Sequence, residues 1–207
     1  MTKIYPNSPI SSSPLASIST ESEPASLTVW RKSLLFNCSG FTVFDSNGNL
    51  VFRVDNYSSA SRTEIVLMDA AGKPLFTIRR KKLSIAEHWY IYDGEASAAR
   101  PRFSVRKHVN LLPSKELAYV NHYGRAGGEE GVIYGIEGSF SHRSCVVYDD
   151  CRRQVAEIRR KEAVAGVAFD GDVFRLVVQP GFDAALAMAV VILLEQMFGS
   201  RVAALKD

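Results

Sequence analysis

The run Ala184 to Leu194 constrains this chain more than any other stretch. It is eleven consecutive apolar residues, rich in good helix formers. Asp183 stands just before it, where a carboxylate accepts hydrogen bonds from the first free amides of a helix. A helix of this composition is apolar on every side, so it is stable only when enclosed by protein or lipid. A bilayer span needs about 20 apolar residues, whereas this run is closed by Asp183 and Glu195. No transmembrane span is therefore predicted, and burial in protein is. The rest of the chain must supply the enclosure.

That remainder reads as β-structure. From Leu27 onward, short runs rich in Val, Ile, Phe and Tyr end in Gly, Asp, Asn or Pro at the spacing of about 8–12 residues typical of sandwiches and barrels. The predicted strands are Leu27 to Lys32, Gly40 to Phe44, Leu50 to Asn56, Glu64 to Met68, Leu75 to Lys82, His88 to Tyr92, Arg102 to Val109, Ala118 to His122, Ile133 to Gly138, Cys145 to Tyr148, Val155 to Lys161, Ala163 to Phe169 and Val173 to Val178. An internal repeat marks some of them as hairpins. Leu67-Met68-Asp69, a turn and a strand ending Ile78-Arg79-Arg80-Lys81 return 80 residues later as Val147-Tyr148-Asp149 and Ile158-Arg159-Arg160-Lys161. A weaker copy runs from Val43-Phe44-Asp45 to Phe52-Arg53-Val54. An all-β shell that must hide an apolar helix is solved by a large closed barrel with the helix along its lumen, which also removes sheet edges. About a dozen strands give a lumen wider than side chains alone can fill.

The first 26 residues hold 8 Ser and 4 of the 8 Pro with no apolar periodicity, so 1–26 reads as a disordered tail and 27–207 as one domain. Gly124 to Gly131, with four Gly and two Glu, reads as the longest loop. The tail has no apolar run of a secretory signal. Three widely spaced cysteines, Cys38, Cys145 and Cys151, suit a reducing compartment and not a disulfide framework. A cytoplasmic monomer is expected, peripheral at a membrane or entering the nucleus. Net charge is +3 from 25 Lys+Arg against 22 Asp+Glu, too small to steer the whole molecule onto DNA. No helix-turn-helix, zinc-finger or RNA-recognition pattern accompanies it, so nucleic acid is not an expected partner.

The segments Leu27 to Ser33, Gly40 to Asp45, Leu50 to Tyr57 and Leu67-Met68-Asp69 to Lys82 resemble the plant LURP-one-related family. So do Gly171-Asp172-Val173-Phe174 and Gln179-Pro180-Gly181-Phe182-Asp183 with the helix that follows. The resemblance runs from about Leu27 to Phe198, with Phe182 where a smaller aliphatic residue is expected. It implies a mainly β, tubby-like closed antiparallel barrel of about 12 strands around a buried hydrophobic C-terminal helix, similar also to phospholipid scramblases. It further implies links to pathogen defence, a likeness to membrane-tethered regulators and no catalytic activity.

Local basic clusters are the sharpest candidate site. Arg79, Arg80, Lys81 and Lys82 and, in the repeat, Arg159, Arg160 and Lys161 could hold an anionic phospholipid headgroup, since tubby domains bind phosphoinositides and Arg and Lys match phosphate oxygens. Strand alternation sends Arg79 and Lys81 to one face and Arg80 and Lys82 to the other, so at most half of each cluster joins one patch. Ordinary solubilising charge at strand ends is the plain alternative. The other candidates are weaker. His142, Cys145 and Cys151 lack a standard zinc spacing and a fourth ligand. Asp149-Asp150 and Asp170-Gly171-Asp172 fall short of the 6–8 oxygens of a calcium site. Neither a metal nor a cofactor is expected. No G-x-S-x-G, P-loop or G-x-G-x-x-G is present, and His88, His108, His122 and His142 show no partner spacing. The sequence thus predicts a non-enzymatic binding module, attached to anionic phospholipid or else acting as a scaffold for an unknown protein partner.

Overall fold

The computed structural model describes residues 23–34, 38–57, 64–82, 84, 87–95, 100–109, 114–124, 129–162 and 171–199. In chain order the strands are β1 (Ala25–Trp30), β2 (Cys38–Phe44), β3 (Leu50–Tyr57), β4 (Glu64–Asp69), β5 (Pro74–Arg80) and β6 (His88–Asp93). They continue as β7 (Phe103–Lys107), β8 (Glu116–Tyr123), β9 (Glu129–Ser139), β10 (Ser144–Asp149), β11 (Gln154–Arg160) and β12 (Val173–Val178), followed by helix α1 (Ala184–Phe198). Each strand pairs antiparallel with its sequence neighbours, and β1 pairs with β12, which closes the sheet into a barrel. The predicted strand Ala163 to Phe169 and most of the predicted tail lie outside the described residues. β1 begins at Ala25, two residues before its predicted start. The Gly124 to Gly131 loop is corrected at its far end: Glu129, Glu130 and Gly131 belong to β9, because Glu129 and Glu130 pair with Tyr123 and His122 of β8 and Gly131 sits in the register shift that follows.

The repeat is one hairpin used three times, at β2–β3, β4–β5 and β10–β11. Asp45, Asp69 and Asp149 each accept the amide of the residue four further on, Asn49, Lys73 or Arg153, at 2.8–2.9 Å. The third residue after each Asp takes a left-handed conformation: Gly48 at φ 83°, Gly72 at 87° and Arg152 at 63°. Glycine adopts that region without strain, whereas arginine does not. In all three hairpins the register shifts by a bulge just before the Asp.

Alternation along the strands sends Val29, Val43, Val54, Leu67, Ile78, Ile91, Val120 and Leu176 into the lumen, where each is at most 1% exposed. There they meet α1, whose residues from Leu186 to Leu194 are all buried, together with Met197. The helix touches β5 and β12, well separated around the barrel, as an axial element should. Burying such a side chain contributes roughly 1.5–3 kcal/mol, so shell and helix stabilise each other through most of the core. Asp183 caps the helix as expected, accepting from the amides of Ala185 and Leu186. No helix among the described residues is long and apolar enough to cross a membrane.

Candidate functional site

Because neighbouring strands alternate in direction, all odd-numbered strands end at one rim of the barrel, the same rim at which α1 ends. β5 and β11 stand half a turn of the barrel apart and run in the same direction. The two Arg-Arg-Lys clusters therefore emerge at one rim, on opposite sides of its mouth. They cannot form a patch on one wall of the barrel.

The alternation within each cluster decides what each residue does. Arg79 and Arg159 point outward on opposite walls and are engaged locally. Arg79 pairs with Glu64 at 2.5 Å and lies 5.5 Å from the Tyr92 ring; Arg159 pairs with Glu157 at 2.6 Å. Lys81 sits over the Tyr90 ring at 6.0 Å. Arg80 is registered with Trp89 and Arg160 with Phe174, both lumen residues, so these two arginines share the lumen-facing parity. As the last residues of their strands they surface at the rim. Lys82 is exposed there, and Lys161 is half-buried.

Other residues at this rim escaped the sequence reading. Trp30 ends β1 and Leu34 lies just beyond it, and Val109 follows the end of β7; they are large apolar side chains, 40, 52 and 73% exposed. Lys32 covers the Trp30 ring at 5.3 Å. Several acidic groups of the rim are already paired: Glu64 with Arg79, Glu87 with Lys107, and Asp172 and Glu195 with Arg31. Lys32, Arg80, Lys82, Lys115 and Arg160 are exposed and make no ion pair among the described residues. The rim thus combines protruding apolar groups with an excess of unpaired cations.

Beneath it, the helix end is clamped. Glu195 accepts from Arg31 at 2.8 Å and from both terminal nitrogens of Arg143 at 3.3 Å. Arg143 is buried, held between the Phe140 and Phe174 rings at 4.3 and 4.5 Å, and donates to the Gly171 carbonyl. Burial pushes its pKa down, and Glu195 opposes that shift. Lys107 donates to the Met197 carbonyl at 2.8 Å, a cation at the negative end of the helix dipole.

At the opposite rim an open cavity of about 750 Å³ lies between the β10–β11 turn, residues of β7, β8 and β9, and the segment that leads into α1. Tyr134 and Phe182 stack edge to face at 5.0 Å within it. That contact accounts for a phenylalanine where a smaller residue was expected.

The weaker metal candidates separate in space. Cys145 is buried in the core, its thiol pushed up to about 12 by burial, while Cys151 is exposed in the β10–β11 turn. His142 lies in the β9–β10 turn, at the other rim from Cys151, and shares a 2.8 Å hydrogen bond with Ser139. Of Asp170-Gly171-Asp172, Asp170 lies outside the described residues, and Asp172 is bound to Arg31 at 2.7 Å. Asp149, Asp150 and Cys151 are grouped within 4.8 Å, but Asp149 is committed to Arg153.

The sequence pattern of the LURP-one-related family matches residues 25–195. The chain is 48% identical to Protein LURP-one-related 8 of Arabidopsis thaliana over 204 residues, covering 97% of this chain and all of that one. It is 46% identical to Protein LURP-one-related 17 of the same plant, covering 83 and 82% of the two chains. An X-ray structure of an Arabidopsis thaliana protein is similar in fold, with a TM-score of 0.58, 26% identity and coverage of 83 and 90%.

Proposed function

The chain belongs to the LURP-one-related family, and from that premise we propose that it is a membrane-attachment module whose basic rim seats on anionic phospholipid. The observation that carries this reading is the common rim: β5 and β11 deliver Arg80, Lys82 and Arg160 to the same end of the barrel as Lys32, Trp30 and Leu34. Each cation near an acidic membrane contributes about 1 kcal/mol. Four or five of them, with one or two apolar side chains entering the headgroup layer, give weak and reversible attachment that salt diminishes. A role for such a tether in defence signalling is supported by the family resemblance alone.

A protein scaffold is the second reading, favoured by the outer face of β5 to β8. Tyr90 lies edge-on to Tyr92 and Tyr123 at 6.5 and 5.7 Å, with Arg79 and Lys81 over the rings. Tyrosine and arginine are the residues that concentrate binding energy at protein interfaces.

Co-sedimentation with vesicles separates the two. The rim reading expects pelleting with phosphatidylcholine vesicles only when phosphatidylserine or phosphoinositide is added, less at physiological than at low salt. It also expects loss of pelleting in the Arg80→Glu/Lys82→Glu/Arg160→Glu variant. Equal pelleting of that variant, or none of the wild type on any vesicle, would leave the scaffold as the better account.

A further inference from the structure

We propose that the cavity at the rim opposite the basic one is a binding site for an organic ammonium group, seated against Asp150 and the Tyr134–Phe182 ring pair. Its lining is mixed: Ile133 and the Tyr134–Phe182 ring pair give it apolar and aromatic surface, Phe103 is already covered by Arg102 at 5.0 Å, His122, Gln154 and Gln179 are polar, and the β10–β11 turn forms one side. Two arginines also border the cavity, but neither offers an open cation. Arg102 is paired with Asp93 at 3.0 Å and Arg153 with Asp149 at 2.8 Å. The start of α1, which would otherwise attract an anion, has given its amides at Ala185 and Leu186 to Asp183. Asp150 is exposed and has no ion-pair partner among the described residues, so that side's uncompensated charge is negative.

The electrostatics at the ring pair point the same way. Burial first, and then Asp149, Asp150 and Asp183, raise the Tyr134 pKa, with Arg102 alone opposing. Carboxylates beside aromatic faces recognise ammonium ions, which gain from both the charge and the ring quadrupole. The volume admits an ammonium carried on a sizeable organic body, and a cavity of this size with a few convergent polar groups is where a small ligand binds. The group can come from a free amine or from a lysine side chain of a protein; the chemistry is the same.

Calorimetric titration of the full chain tests this. The probes are phenethylamine, 3-phenylpropionate as a like-sized anion, and the blocked peptide acetyl-Ala-Lys-Ala-amide. Saturable binding of the amine or the peptide is expected, with none of the anion. Asp150→Asn should weaken binding about tenfold while leaving the melting temperature unchanged, since Asp150 is an exposed turn residue. Phe182→Leu should weaken it by a smaller factor. Tighter binding of the peptide than of phenethylamine assigns the ammonium to a protein lysine, and the reverse assigns it to a free amine. Binding of the anion equal to that of the amine, absence of any saturable signal with either cation, or an Asp150→Asn variant that binds like wild type would overturn the proposal.

Discussion

The two ends of α1 are fastened by different chemistry. Where the helix begins, Asp183 accepts from amides two and three residues away. Where it ends, Glu195 is gripped by Arg143 and Arg31, which lie 52 and 164 residues away in the chain. The first device is local, exposed and shared by countless helices. The second joins β1 and the β9–β10 turn to the helix through a buried ion pair, and it closes the same rim that carries the proposed membrane contacts. One end needs only its own segment; the other forms only when the barrel has closed.

The largest effect tests what both fastenings serve. Ile192→Asp places a charge at a fully buried helix position. A carboxyl there must either protonate or stay charged at a cost of several kcal/mol, and with the lost packing this is comparable to the 5–15 kcal/mol stability of an ordinary domain, so loss of the cooperative melting transition is expected. A soluble, cooperatively melting variant would show that the helix is not the core of the barrel.

Next comes the clamp. Glu195→Ala leaves Arg143, whose side chain is 10% exposed, without its carboxylate, and a loss of about 3 kcal/mol is expected by denaturant unfolding. The double change Arg143→Leu/Glu195→Leu removes both buried charges and should cost less than Glu195→Ala alone. If the double variant is the less stable of the two, the pair contributes more than the removal of a stranded charge. At the other end, Asp183→Ala should cost about 1 kcal/mol, as caps do. A cost equal to that at Glu195 would erase the distinction between the two ends.

The smallest effects concern the hairpins at the cavity rim. Arg152→Gly relieves roughly 1–2 kcal/mol of left-handed strain and gives up exposed contacts to Glu137 and the Tyr148 ring, which are worth less. A gain of under about 1 kcal/mol is expected, and a clear loss would show that the Glu137 pair outweighs the backbone. In the β2–β3 turn, the Asn49 side chain and amide hold the Asp45 carboxyl below its ordinary value of 3.8. A depressed folded pKa means that this contribution is fully present above the ordinary value and is lost as pH falls below it through the lower folded value. Asp45→Asn should therefore flatten the acid limb of the stability curve slightly.

The fold was legible in the sequence because its determinants are local or periodic. Alternating runs gave strands whose ends lie within about two residues of those observed, the start of β9 excepted, and the Asp-led turns gave the hairpins. An apolar run too short for a membrane required an enclosure, and the structure is a closed barrel with that run along its axis. The site was less legible. Alternation divided Arg79 and Lys81, which lie over the Tyr92 and Tyr90 rings, from Arg80, while Lys82 falls beyond the strand, but nothing in the chain order states that β5 and β11 stand on opposite walls and share a rim. Glu195 looked like the residue that stops the apolar run. That it also binds two distant arginines depends on closure of the whole barrel. The exposure of Trp30, Leu34 and Val109 was hidden because the same residue types fill the core, and strand-end position next to Lys32 was the one available hint.

The most direct measurement of the central claim is quenching of Trp30 fluorescence by brominated acyl chains in phosphatidylserine-containing vesicles. Trp30 is exposed at the rim, while Trp89 is buried in the lumen. Rim-on attachment predicts that the brominated lipid quenches a component of the emission that disappears in Trp30→Phe. Vesicle binding with no quenching of Trp30 would mean that the barrel meets lipid by another surface, and the rim assignment would be wrong.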